Sequence, residues 1–310
     1  MSKLAAALGS PETKKKLAWG IPLALVVLVA VVLLARWYRA SEAGVAFLAQ
    51  YPGATELPAR APEGFPVWLN FQHFLNAFFI VLIIRTGWLV RTTQRPAAYW
   101  TRNNKGLVRT KGEPKKISLD LWLHLSLDFL WALNGVIFIV LLFTTGQWMR
   151  LIPTSWDVLP NAWSAAIQYA SLNWPVENGW VNYNSLQQIS YFLIVFVAAP
   201  LAILTGIRMS NAWPGPSAKI SKLYPLPVAR AIHFPVMLFF VLFVIVHVTL
   251  VLTTGALRNL NHMYAANNGD SWLGFGLFAG SLVLTVAAWI LAKPAFLQPV
   301  ATMTGKVTRQ

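Results

Sequence analysis

Residues 230–255 read RAIHFPVMLFFVLFVIVHVTLVLTTG, an unbroken apolar run that carries two histidines, His233 and His247. In an α-helix their spacing corresponds to a rise of about 21 Å and leaves the side chains about 40° apart around the axis. The two imidazoles therefore point the same way at two depths. Imidazole is costly to place in hydrocarbon without a partner, so an intramembrane histidine is a candidate functional group. Two on one face at this separation suit the axial ligands of two stacked haems.

The rest of the chain extends the membrane reading. Of 310 residues, 56% are hydrophobic and 11% charged, too apolar for a water-soluble domain of this size. Apolar runs at 17–37, 67–90, 118–143, 186–207, 228–253 and 272–292 each approach the roughly 20 residues needed to cross a bilayer. The expected fold is all-α: an integral membrane helical bundle of six spans, with residues 67–253 as a four-helix core (spans two to five). Residues 1–66 form a tail, an extra span and an outer segment, and residues 254–310 form an outer segment, a last span and a tail. The first run is long and lacks a small-residue cleavage site, so it reads as a retained anchor rather than a signal peptide. No internal repeat stands out, and the chain reads as one domain. Pro200 and Pro235 are absorbed as kinks. Cysteine is absent, which excludes disulfides, thiolate metal sites and covalent c-type haem. No phosphate loop, dinucleotide fingerprint or nucleophile constellation is present, so substrate chemistry is expected on another subunit.

The net charge of +15 would suggest nucleic acid in a soluble protein; here its segregation argues for orientation and no nucleic-acid partner. The N-terminal tail, the 91–116 and 208–230 connections and the C-terminal tail carry 19 of the 25 Lys and Arg residues. Arg36, Arg39, Arg60, Arg150 and Arg258 lie in the alternate segments, and Arg85 within a span. The positive-inside bias places both termini in the cytoplasm of a bacterial inner membrane. The outer segment 144–186 is rich in Trp. A short interfacial helix is expected near 161–172, and the aromatic rings mark either the membrane boundary or a docking surface for an extracytoplasmic partner.

With this topology the histidines fall at two levels. His73 and His247 both lie close to the outer ends of spans two and five; His124 and His233 both lie close to the inner ends of spans three and five. Each pair supplies two neutral imidazoles from facing helices, which closes both axial positions of a haem iron. Arg208 and Arg230, near the inner level, suit propionate carboxylates; Arg85 is expected to snorkel to the interface. Asp120 and Asp128, one turn either side of His124, are candidates to orient its second ring nitrogen or carry protons, and Asp120 also suits a helix cap. Gly135 and Gly206 would let a macrocycle approach a helix. His262, in NHMYAANNGD, is expected to be a solvated loop residue.

The segments FQHFLNAFFIVLIIRTG (71–87), LWLHLSLDFLWALNG (121–135) and HFPVMLFFVLFVIVH (233–247) resemble the di-haem membrane cytochrome b subunits of bacterial formate dehydrogenase, nickel–iron hydrogenase and thiosulfate reductase. The resemblance implies two non-covalent haem b groups on His73, His124, His233 and His247. It further implies electron transfer between membrane quinone and a partner redox enzyme, with an extracytoplasmic molybdoenzyme as the expected partner. The additional first and last spans depart from that pattern. A self-sufficient membrane ferric or superoxide reductase would use the same haems at a surface. A haem-free transporter would need further intramembrane charges and broken helix pairs, which are sparse.

Overall fold

A computed structural model describes residues 11–104, 113–174 and 178–309; the charges read at Lys3, Lys105, Arg109 and Lys111 lie outside the described residues. Six helices among the described residues are long and apolar enough to cross a membrane: Ala18–Ala40, Val67–Thr92, Leu119–Thr144, Ser185–Met209, Leu226–Thr253 and Leu273–Leu291. The protein is an all-α integral membrane protein, and the expected spans agree to within a few residues. Large side chains such as Leu23 (64% exposed) and Val283 (68%) cover the lipid-facing sides, where hydrocarbon takes the place of a protein core.

In chain order the elements are α1 (Pro11–Ala40), α2 (Glu42–Gln50), α3 (Val67–Thr92), β1 (Ala98–Arg102), β2 (Ile117–Ser118), α4 (Leu119–Thr144), α5 (Trp148–Leu151) and α6 (Val158–Ala170). Then come α7 (Ser185–Phe192), a π-helical turn (Leu193–Ala198), α8 (Ala199–Met209), α9 (Lys219–Leu223), α10 (Leu226–Thr253), α11 (Ala256–Ala265), α12 (Leu273–Leu291), α13 (Pro294–Thr302) and β3 (Gly305–Arg309). The fourth span absorbs Pro200 through the π turn just before it, a usual device for a proline inside a helix.

The chain divides into two compact units. The first comprises residues 1–59, 149–178 and 182–191. In it, Arg36 Nε donates to the Ser171 carbonyl (3.0 Å) and Arg39 Nη1 to Ser171 Oγ (3.0 Å), tying the end of α1 to the segment after α6. Helix α6 is the short helix expected near 161–172. Arg150 is 1% exposed, with its guanidinium 5.0 Å over the Tyr183 ring. Burial raises the Tyr183 phenol above its ordinary pKa, and the Arg150 charge opposes this in part.

The second unit, residues 60–148, 179–181 and 192–310, holds all five histidines. Here α3 packs on α4, α8 on α10, and α11 on both α12 and α3. Two helical hairpins, spans two–three and four–five, share a register that the sequence reading did not detect. Thr86-Gly87 and Thr205-Gly206 stand in the first helix of each. In the second, His124 is followed at the same spacings by Trp131 and Thr144-Thr145-Gly146, and His233 by Phe240 and Thr253-Thr254-Gly255. Both second helices stop alike: the Thr145 and Thr254 hydroxyls each donate 2.7 Å to a carbonyl one turn back. Gly146 and Gly255 then adopt φ of +76° and +128°, a conformation that favours glycine over residues with a Cβ.

Two features depart from expectation. The basic 91–116 connection and the C-terminal tail are not simply loops, because β1 pairs antiparallel with both β2 and β3 (Trp100 opposite Val307). This small sheet covers a cluster of Ala98, Trp100, Leu119 and Ala301 and brings the two basic segments to one end of the unit, called here the basic end. His262 lies on α11, not in a solvated loop. It is 4% exposed, stacks on Phe65 (5.7 Å), sits 5.5 Å from the Trp180 ring centre, and its Nε2 is 2.8 Å from Asn268 Oδ1. The helix buries Leu260, Asn261 and His262, and Asn261 bonds the Gly269 and Ser271 carbonyls, so this polar side is held inward and takes the imidazole with it.

Candidate functional site

Helices α3, α4 and α10 bring the four intramembrane histidines together as two pairs. The His73 and His247 rings are 6.3 Å apart, centre to centre, and the His124 and His233 rings 6.5 Å. Two imidazoles on opposite sides of one metal, each with a nitrogen about 2.0 Å from it, have ring centres about 6.3 Å apart. Both separations therefore suit a bis-imidazole iron, and neutral nitrogen donors suit haem. Between the levels, Trp131 and Phe240 meet edge to face at 6.0 Å within a packed layer that includes Phe79, Ile80 and Ala198.

The pair at the basic end is held by two threonines that the sequence reading missed. Thr86 Oγ1 is 3.0 Å from His124 Nδ1, and Thr205 Oγ1 is 2.7 Å from His233 Nδ1. Both threonines are fully buried. Each hydroxyl donates its one proton to its own helix, to the Leu82 carbonyl (2.8 Å) or the Leu201 carbonyl (2.6 Å). The oxygen is then an acceptor, so it receives Nδ1–H and leaves Nε2 as the bare, metal-binding nitrogen. Each adjacent glycine faces the same ring. A Cβ on Gly87 would lie 3.1 Å from His124 Cε1, and one on Gly206 3.8 Å from His233 Cε1. A Cβ on Gly135 would meet nothing within 4 Å, so no close neighbour explains it. The signal that would have found the threonines was the repeated Thr-Gly, which shows only after the two hairpins are aligned.

The opposite pair is held by rings instead. Phe243 stacks on His247 (5.4 Å, 6°), Tyr264 stands edge-on to His73 (5.6 Å), and the buried His73 Nδ1 has no hydrogen-bond partner among the described residues. The unpaired His73 nitrogen, with aromatic walls on either side of the pair, also fits a metalloporphyrin. Burial raises the pKa of the Tyr264 phenol, with a smaller opposing effect from Ser281.

The other candidates separate. Asp128 does not orient the second ring nitrogen of His124, since Thr86 takes that nitrogen. Its Oδ2 instead lies 3.6 Å from Nε2, the metal-facing atom and too far for a hydrogen bond. The spacing of four residues placed it on the correct face but the other edge of the ring. Asp120 is not the cap of α4: Ser118 is, accepting from Leu121 N at 3.1 Å. Arg208 Nε donates to the Tyr224 carbonyl (2.6 Å) and its guanidinium lies 5.3 Å from the Trp213 ring centre, which binds it to the 210–225 connection. Arg230 is exposed one turn before His233.

Comparison with known proteins agrees with this architecture. Residues 64–266 match the prokaryotic cytochrome b561 family, a stretch that contains every histidine described above, and the chain belongs to that family. It is thus a multi-pass bacterial membrane cytochrome that binds haem b. It is also similar to a putative protein-methionine-sulfoxide reductase subunit, YedZ1, of Azospira oryzae, at 25% identity over 197 residues, covering 60% of this chain and 88% of the relative. No solved structure gives a significant match.

Proposed function

We propose that the protein carries two haem b groups, one between His73 and His247 and one between His124 and His233, and relays electrons between membrane quinone and a separate redox enzyme. Two imidazole pairs at separations of 6.3 and 6.5 Å carry the reading. Haem b would supply one-electron exchange; the four histidines would hold it, and Thr86 and Thr205 hold two of their rings in the metal-binding tautomer. The layer of Trp131 and Phe240 excludes water between the two levels. The charge bias supports a basic end that faces the cytoplasm, and the exposed Arg230, one turn before His233, is the propionate contact we favour. The partner we favour is an extracytoplasmic molybdoenzyme. The similarity to a reductase subunit and the family resemblance support a subunit role over a self-sufficient enzyme.

Reduced-minus-oxidised spectra of the purified protein should show b-type bands with about two haems per chain. His73→Ala and His247→Ala should deplete one haem, and His124→Ala and His233→Ala the other. A folded, colourless protein, or equal loss of both haems in every folded variant, would overturn the assignment.

A further inference from the structure

Only Ala292 and Lys293 separate the end of span six at Leu291 from helix α13, in a part of the chain that follows the family-matched core. The turn between them is clamped. Arg85, inside span two, does not snorkel freely: its Nη2 donates to the Ala292 carbonyl (2.9 Å). Leu297 and Ala301 of α13 pack in the cluster with Leu119, the first residue of α4, and Trp100 Nε1 donates to the Ala301 carbonyl (3.0 Å). Helix α13 is therefore held level with the ends of spans three and six. Around its axis Leu297 and Ala301 face this cluster, Gln298 and Thr302 form a polar sector, and Phe296, Val300 and Met303 stand exposed on the remaining face. The charge beside this stripe is of one sign. No acidic residue follows Asp270, exposed Lys293 precedes the helix, and exposed Arg309 of β3 donates from Nη2 to Gln298 Oε1 (3.0 Å).

An apolar stripe of this kind is unfavourable in water and marks a contact surface. Its height selects the occupant: at the ends of two spans, acyl chains meet headgroups, so lipid is already present at the concentration of a solvent and any protein would have to displace it. The cations select the headgroup, since Lys and Arg at the membrane boundary attract anionic lipid. We infer that α13 lies in the membrane boundary as an interfacial helix, with Phe296, Val300 and Met303 among the acyl chains and Lys293 and Arg309 on the phosphates of anionic phospholipids. Lys306 takes no part, because side chains alternate along β3 and Val307 is the one that faces the cluster. The contact of α13 with Leu119 makes this anchor a support for the depth of α4, the helix that carries His124. The inference does not depend on the cofactor.

The chain has no cysteine, so a nitroxide attached to Val300→Cys or Phe296→Cys of the full chain reports on that position alone, and the second site serves if the first variant does not fold. In nanodiscs of phosphatidylcholine mixed with phosphatidylglycerol, collisions with oxygen should exceed those with a water-soluble nickel chelate at both sites. At Thr302→Cys, on the polar sector, the order should reverse. Dominant nickel collisions at 296 and 300 would leave the stripe in water, and exclusion of both probes would mean that a partner protein or a second copy covers it; either result overturns the inference. Lipid retained per chain after extraction from the same nanodiscs tests the cations. Lys293→Gln and Arg309→Gln should each lower the preference for phosphatidylglycerol over phosphatidylcholine about fivefold, and Lys306→Gln, with the same loss of charge, should lower it less. No preference between the two lipids in the unaltered protein would overturn the assignment of an anionic headgroup.

Discussion

Replacing Thr205 with valine keeps the shape of the side chain and removes the oxygen 2.7 Å from His233 Nδ1. The Leu201 carbonyl that Thr205 also engages still accepts from its own helix, so the loss concentrates on the histidine. A ring N–H that loses its acceptor costs up to about 1–3 kcal/mol, less where, as here, the Ala202 carbonyl stays within reach of the His233 ring. The lower part of that range applies because His233 is only partly buried. If the same ring must then hold a metal, this corresponds to about 5- to 30-fold weaker haem binding at the basic end. Thr86→Val should act likewise on His124 through its 3.0 Å contact. Loss of the Nδ1–H···O bond also makes the imidazole a weaker donor, so the reduction potential of that haem should rise. The assay is a spectroelectrochemical titration of both variants, combined with haem titration into stripped protein. One of two potentials should move, Thr205→Ser should restore it, and the control Thr144→Val, whose hydroxyl bonds only its own helix, should leave both in place. Equal movement of both potentials, or of neither, would refute the argument.

Three further outcomes follow from the geometry. Gly87→Ala should disturb the haem spectrum of the basic end, because the new Cβ would crowd His124 Cε1 at 3.1 Å, whereas Gly206→Ala, with 3.8 Å available, should be silent in the same spectra. His262→Ala should lower the melting temperature while two haems per chain remain, the loss being about 1–3 kcal/mol for a buried, hydrogen-bonded ring; haem depletion would place His262 in the wrong role here. Stability against denaturant should fall above about pH 10, where an unfolded tyrosine ionises. Burial holds Tyr183 protonated in the fold, so the unfolded state then binds fewer protons. Tyr183→Phe should flatten that slope, and an unchanged slope would exclude Tyr183 as its source.

Much of the site was legible because a helix converts sequence spacing into depth at a fixed rise. His233 and His247 could be placed at two levels from their spacing alone, and the direction expected for each span from the charge pattern left His73 and His124 one partner each. What failed was what depends on which edge of a ring faces which neighbour. Asp128 lies on the predicted face yet beside the wrong nitrogen of His124, and Thr86, distant in sequence from His124, took the role that had been given to it. His262 was misread because the amphipathic helix α11 buries polar residues through a network of Asn70, Asn261 and Asn268, in a segment whose composition resembles a loop.

The amino-acid sequence by itself determined six membrane spans and two histidine levels, since hydrophobic length and helical rise are properties of a single segment. Only the tertiary structure decided the threonine supports, the crowding at Gly87, the burial of His262 and the hold on Arg85. Each of these is a contact between segments far apart in the chain, such as Arg85 with Ala292, and depends on side-chain packing that no local pattern encodes.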